Sequence, residues 1–302
     1  MKRCGPTLRR RALLSMRLLA GLLGLVCGST QAQVLHTEKS LYRDIIVYQE
    51  DGLRCMRFGR HAASRQTCVT LAEPDKLVFD YTKMMMAALY LNPSPKRVLI
   101  LGLGGGTLPN TLRRLFPEAR IDVAEIDPAV VRVAKQFFNF KESDRLRVSA
   151  EDGRVFVKRA RSRPDRYDLV MLDAFDHEYI PEHLLTREFF QEVRNIMTER
   201  GVLAANTFSG SRLYHYESAT YYSVFGDFYR LKKGNRVILA RLGGLPDRNE
   251  LWRNADAVEA RLLPLGTDRA TLMSLVEIEK GWPADTRILT DQFSPSNLLN
   301  AK

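Results

Sequence analysis

The chain has 302 residues, a formal net charge of +11, 27% charged and 45% hydrophobic residues, and ordinary counts of glycine (19) and proline (13). This composition fits one large α/β domain or two smaller ones, and it excludes a disordered or collagen-like chain. No repeat of about 20 to 50 residues is visible, and past the N-terminus no stretch approaches the roughly eighteen apolar residues of a membrane span, so a soluble body is expected.

Residues 1–32 are a different kind of sequence. Lys2, Arg3, Arg9, Arg10, Arg11 and Arg17 occur with no acidic residue, Leu18 to Val26 form a short apolar core, and Thr30-Gln31-Ala32 places small side chains ahead of a cleavage point. The pattern predicts a secretory signal peptide cut after Ala32, and hence an exported, periplasmic protein without a stable membrane span once the signal is removed. Arg10-Arg11 loosely resembles a twin-arginine signal; Cys27 resembles a lipobox cysteine, but the bulky Val26 before it argues against lipidation. Removing six positive charges from +11 leaves +5, which does not call for a nucleic-acid partner. Of the four cysteines, Cys55 and Cys68 remain, on two β-like runs nearly symmetric about Gly59 to Ser64. Residues so placed in an antiparallel hairpin face each other, and an oxidising compartment allows a disulfide; two buried thiols are the alternative.

Tyr42 to Tyr48, Leu53 to Phe58 and Thr67 to Leu71 are rich in β-branched and aromatic residues and predict a small antiparallel sheet. From Asp75 to Leu91 the apolar spacing turns helical and Pro93-Ser94-Pro95 closes it, so residues 33–91 are expected to form a β-rich unit with a linking helix. Residues 92–302 alternate strand and helix: strands at 98–101, 121–125, 146–149, 168–172 and 201–207, helices at 108–116, 128–138, 153–160, 187–198 and 215–226, then strands at 227–231 and 236–241. The order predicts an α/β fold with a mostly parallel, doubly wound sheet that binds ligands at the carboxyl ends of its strands.

The candidate ligand site begins at Gly102-Leu103-Gly104-Gly105-Gly106, directly after a buried strand and opening a helix, where the backbone can approach a ligand and present free N–H groups. Glu125 ends the next strand, where a carboxylate can hold a ribose diol. Asp152-Gly153 follows the third strand, where a carboxylate can accept from an adenine amino group, and Asp173 and Asp176 follow the fourth. For each acid taken singly the alternative is a helix cap or a solvated loop carboxylate, and Asp127 before Pro128 reads as a helix-starting residue. His61, His177, His183 and His215 lack partners at metal-ligand spacing, so no metal site is expected. Ser209-Gly210-Ser211 is not a nucleophile elbow. Arg154, Lys158, Arg159, Arg161, Arg163 and Arg166 read as a solvated basic face, and Tyr214, Tyr216, Tyr221 and Tyr222 as a mixture of core and pocket residues.

Val98 to Gly106, Val123 to Asp127, Glu151-Asp152-Gly153 and Tyr167 to Asp176 resemble successive blocks of the spermidine synthase (polyamine aminopropyltransferase) family, and Leu289 to Pro295 resembles its C-terminal block. The resemblance implies a Rossmann-like, class I methyltransferase fold preceded by a small β domain. It also implies decarboxylated S-adenosylmethionine as co-substrate, with no permanently bound cofactor, and a diamine or polyamine such as putrescine as acceptor. By the same resemblance Glu125 would hold the ribose and Asp152 the adenine, Gly102, Gly104, Gly105, Gly106 and Gly153 would border the nucleoside, Asp173 would be the base, and Tyr81 and Asp176 would orient the polyamine; a homodimer is common in the family. Four residues, at three places in the chain, depart from the family pattern. Gly105 stands where an aspartate is usual, Tyr81-Thr82-Lys83 replaces Tyr-His-Glu, and Arg43 replaces a glutamine after Tyr42. Three functions stay open: a divergent aminopropyltransferase, an enzyme using S-adenosylmethionine itself such as a methyltransferase, and a non-catalytic exported polyamine- or nucleoside-binding protein.

Overall fold

The computed structural model describes residues 32–59, 65–174 and 180–295. The expected signal segment up to residue 31, residues 60–64 and Asp176 lie outside them. Four strands, β1 (Gln33–Lys39), β2 (Asp44–Glu50), β3 (Leu53–Phe58) and β4 (Arg65–Thr70), form an antiparallel sheet in chain order. Cys55 and Cys68 are register partners and their sulfurs are bonded, beside the buried Tyr48. Strand β1 escapes the sequence reading because its side chains are exposed or half-buried and carry no apolar alternation.

The chain then passes through α1 (Asp80–Met85) and a 3-10 segment, Met86–Tyr90, whose side chains are all buried. An eight-stranded sheet follows, alternating with helices: β5 (Arg97–Leu101), α2 (Thr107–Leu115), β6 (Arg120–Glu125), α3 (Pro128–Phe137), β7 (Leu146–Ala150), α4 (Gly153–Ala160), β8 (Tyr167–Leu172), α5 (Arg187–Asn195), β9 (Met197–Phe208), α6 (Tyr214–Phe225), β10 (Tyr229–Lys233) and β11 (Asn235–Arg241). The helices α7 (Arg248–Leu262) and α8 (Arg269–Leu275) and the short β12 (Glu277–Ile278) complete it. The strand order is β12-β10-β11-β9-β8-β5-β6-β7, parallel from β9 to β7 and antiparallel through β10, β11 and β12.

Strand β5 shows why the sheet needs helices on both sides. Val98 and Ile100 enter one core with α2, α3 and α7, whereas Leu99 and Leu101 enter the other with α4, α5 and α6. A strand buried on both faces reads as a continuous apolar run, as Val98-Leu99-Ile100-Leu101 does. Ile45, Val47 and Met56 of the small sheet join the first core. The two C-terminal helices, absent from the sequence reading, carry their own signals: Asp247 accepts from Glu250 N and Asp268 from Thr271 N, and Leu251, Ala255, Val258 and Leu262 follow at helical spacing into the core. Strand β9 begins four residues earlier than expected because Met197 pairs with Tyr167, so α5 stops at Asn195.

Candidate functional site

Strand β5 has β6 on one side and β8 on the other, and the chain reverses its direction of winding there, which opens a crevice at the carboxyl ends of β5 and β8. The glycine loop leaves β5 into it. Gly102 has φ +97°, and a Cβ there would lie 2.3 Å from the Asp173 carbonyl oxygen. Only glycine lets the loop pass beside the end of β8. Gly105 is explained from the other side: a Cβ would fall 2.5 Å from Cγ2 of Thr67 in β4. Thr67 Oγ1 is also within 3.1 Å of Thr107 Oγ1, so the small sheet closes onto the loop where the family commonly places an aspartate. Gly106, the N-cap of α2, packs on Phe140, where a Cβ would come within 2.8 Å, and does not line the crevice.

The resulting cleft has a volume of about 510 Å³ and is bordered by Gly102, Gly104, Gly105, Glu125, Asp152, Gly153, Asp173 and Tyr81. It gathers every described site residue read from the sequence except Gly106 and the cysteine pair. Glu125 accepts from Leu103 N at 2.9 Å through one carboxylate oxygen and from Asp127 N at 3.0 Å through the other. Burial raises its pKa against the pull of those amides. Each oxygen keeps one lone pair, and together they can receive two hydroxyl donors. Asp127 caps α3 by accepting from Ala129 N at 2.9 Å, as its sequence position indicates.

Asp152 is a helix cap that also lines the cleft. Its Oδ1 caps α4, accepting from Arg154 N at 2.9 Å and Val155 N at 3.0 Å, while Oδ2 faces His183 Nε2 at 2.8 Å. Burial works to raise its pKa, and the imidazole and amides outweigh it and hold the carboxyl below its usual value. His183, isolated in sequence, is thus a cleft residue. Its carbonyl accepts from Arg154 Nη1 at 3.2 Å. Arg154 itself corrects the expectation of a solvated basic face: its guanidinium is buried and grips Glu192 at 2.9 and 3.0 Å and Asp291 at 2.7 Å twice. Thr186 Oγ1 donates to the same Asp291, and Leu289 is fully buried, which ties residues 289–291 to the Asp152 end of the cleft.

At the other end, Asp173 accepts from Asn206 Nδ2 at 2.9 Å on Oδ1 and from Tyr81 Oη at 3.4 Å on Oδ2. Burial pushes its carboxyl up to about 7 although both donors favour the ionised form. Burial, reinforced by the Asp173 charge, lifts the Tyr81 phenol well above 10, so it remains a donor. A carboxylate poised near neutrality beside a glycine loop can take a proton from a bound ammonium. Lys83 does not add a cation to this place, because two residues along a helix turn the side chain by about 200° from Tyr81. The helix residue beside Tyr81 that lines the cleft is Asp80, paired with Lys233 Nζ at 3.3 Å. Tyr214, Tyr216, Tyr221 and Tyr222 do not line it. Sequence reasoning missed Asp80, Asn206, Lys233 and Asn235; the signal for Asn206 is a polar residue directly after the apolar run Val202 to Ala205, in the strand next to the one that leads into Asp173.

The profile of the spermine/spermidine synthase domain matches residues 78–229. A polyamine aminopropyltransferase of Vibrio vulnificus is 46% identical over 275 residues, covering 89% of this chain and 92% of the relative. Among solved structures, a probable spermidine synthase from Corynebacterium glutamicum superposes with a TM-score of 0.67 at 19% identity, over 85% of this chain and 96% of its own. A human methyltransferase-like protein 13 bound to SAH superposes with a TM-score of 0.57 at 28% identity, over 68% of this chain and 96% of its own.

Proposed function

The chain belongs to the spermine/spermidine synthase family, as an aminopropyltransferase homologue, and from that premise we propose that it moves the aminopropyl group of decarboxylated S-adenosylmethionine to a diamine such as putrescine. Residues 33–91 supply the covering sheet and linking helix, and residues 92–302 the nucleoside-binding domain. Glu125 takes the ribose hydroxyls, Asp152 with His183 meets the adenine, and Gly102, Gly104, Gly105 and Gly153 border the donor; Gly106 supports the loop from behind. Tyr81 and Asp176 orient the acceptor. The acceptor arrives as an ammonium without a lone pair. Asp173 removes its proton, the freed nitrogen attacks the aminopropyl carbon bonded to sulfur, and that carbon–sulfur bond breaks with its electrons going to sulfur. Methylthioadenosine and an aminopropylated amine result, and most of the acceleration comes from alignment and deprotonation.

The observation that carries this reading is Asp173 itself, held by two neutral donors beside Gly102 with its carboxyl near 7. Mass spectrometry of the products from either sulfonium donor with a panel of diamines tests it. Methylthioadenosine formed only from the decarboxylated donor supports aminopropyl transfer. S-adenosylhomocysteine from the intact donor supports methyl transfer instead, and no turnover by folded protein supports a binding role.

We further propose that the protein is exported to the periplasm and forms a homodimer, as is common in its family. The basic, apolar N-terminus and the Cys55–Cys68 pair support export. No described helix is long and apolar enough to cross a membrane. Thiol labelling of periplasmic material should leave both cysteines unmodified until reductant is added; free labelling of both overturns the pairing.

A further inference from the structure

We propose that Asn235, at the start of β11, is a positioning residue that fixes the amide orientation of Asn206 and through it favours the ionised form of Asp173. The inference rests on the aminopropyl-transfer reading for its catalytic meaning, and on geometry for its existence. Asn235 Nδ2 donates to Asn206 Oδ1 at 3.0 Å, and Asn206 Nδ2 donates to Asp173 Oδ1 at 2.9 Å. Asn206 is 2% exposed, so water is not at hand to replace either partner.

A carboxamide presents an acceptor at one end and a donor at the other, and a half-turn about its last torsion exchanges them. Turned over, Asn206 would set its oxygen against the carboxylate, an arrangement tolerable only when Asp173 carries a proton. Asn235 opposes that turn because its own donor requires the oxygen. The backbone of Asn235 is held in turn, since it pairs with Phe208 in the β9–β11 ladder, and the next residue pair is Arg236 with Thr207. Arg236 donates to Thr207 Oγ1 at 2.8 Å and forms an ion pair with Glu217, both side chains fully buried, so this part of the hairpin has little freedom to shift. Tyr81 from α1 specifies the second oxygen of Asp173. The relay therefore runs Asn235 to Asn206 to Asp173, across three neighbouring strands. Other titratable and charged groups lining the same cleft are Asp80 with Lys233, paired to each other, and Arg43, Arg65, Glu125, Asp127, Asp152 and His183. They are common to every variant below and cancel in the comparison.

The test follows the side-chain carboxyl of Asp173 by NMR in protein carrying ¹³C-labelled aspartate, assigned with Asp173→Asn, in parallel with the pH dependence of kcat/KM for aminopropyl transfer. Asn235→Ala and Asn206→Ala should each raise the titration midpoint by about half a pH unit or more, and the double variant should match Asn206→Ala alone. The acid limb of kcat/KM should move with it, lowering turnover at pH 6 about threefold or more while turnover at pH 9 stays close to the parent. An unchanged midpoint in Asn235→Ala, or a double variant whose shift is the sum of the two, overturns the relay. Should Asn235→Ala fail to fold, Asn235→Val removes the donor with a side chain suited to a strand and is judged by the same criteria. If the parent protein turns over no aminopropyl donor, the function reading fails, and the NMR titration still decides the relay.

Discussion

The two ends of the cleft are built differently. At the end proposed for the nucleoside, Glu125 and the Oδ1 of Asp152 are held by backbone amides a few residues away or in the adjacent loop, and only Asp152 Oδ2 meets a distant side chain, that of His183. At the acceptor end, Asp173 is held by side chains from α1 and β9, the latter fixed from β11. Backbone donors survive changes of side chain; side-chain donors do not. The proposed nucleoside end is therefore the more local in sequence, apart from His183, and the proposed acceptor end is a tertiary assembly in which single substitutions retune Asp173.

The hardest test of that contrast is Asp173→Asn, which removes the proposed base while keeping its shape. Turnover should fall by about 10²- to 10⁴-fold with donor binding retained. Stability should move the other way with pH. The carboxyl of Asp173 is raised from 3.8 to about 7 by folding, so the folded state favours its proton: the contribution is fully present below about 4 and is lost as pH rises through about 7. Thermal melts should accordingly show the asparagine variant more stable than the parent at pH 8, with the gain fading by pH 4; equal melting differences at both pH values would deny a raised pKa.

Arg154→Met probes whether the nucleoside end depends on anything non-local. It leaves Glu192 and Asp291 without their shared cation and frees the carbonyl of His183, and denaturant titration should show a loss of about 3 kcal/mol. Donor KM should rise as well, because the backbone of His183 loses its anchor. A stability loss without a change in donor KM would separate this ion-pair hub from the cleft.

The smallest expected effect is that of Glu125→Gln. Two backbone N–H groups point at its two carboxylate oxygens, and a glutamine can satisfy only one while its own NH₂ opposes the other. Donor KM should rise about tenfold to a hundredfold with kcat much less affected. A fall in kcat of the same size with KM unchanged would move Glu125 from binding to chemistry.

Much of this was legible in the sequence because it follows from short-range physics. Val98-Leu99-Ile100-Leu101 followed by glycines is a doubly buried strand meeting a helix N-terminus, and Glu125, Asp152 and Asp173 each end a strand or start a helix, so their common rim follows from the alternation alone. Strand β1 was not legible because its faces are mostly exposed, and α7 and α8 were passed over although their aspartate caps and apolar spacing were present. Gly105 shows a partial reading: the family resemblance implies a missing carboxylate, and only the position of Thr67 shows that the small sheet occupies the space.

The sequence by itself determined the doubly wound sheet, the glycine loop, the acids at the strand ends and the facing of Cys55 and Cys68, since each depends on periodicity or on neighbours within a few residues. Only the tertiary structure decided that Lys83 turns away from Tyr81, that Arg154 is buried between Glu192 and Asp291, that His183 meets Asp152, and that Asn206 and Asn235 reach Asp173. The last three of these are side-chain contacts between residues 29 to 137 positions apart, and no local pattern encodes a distance that the packing of distant elements sets.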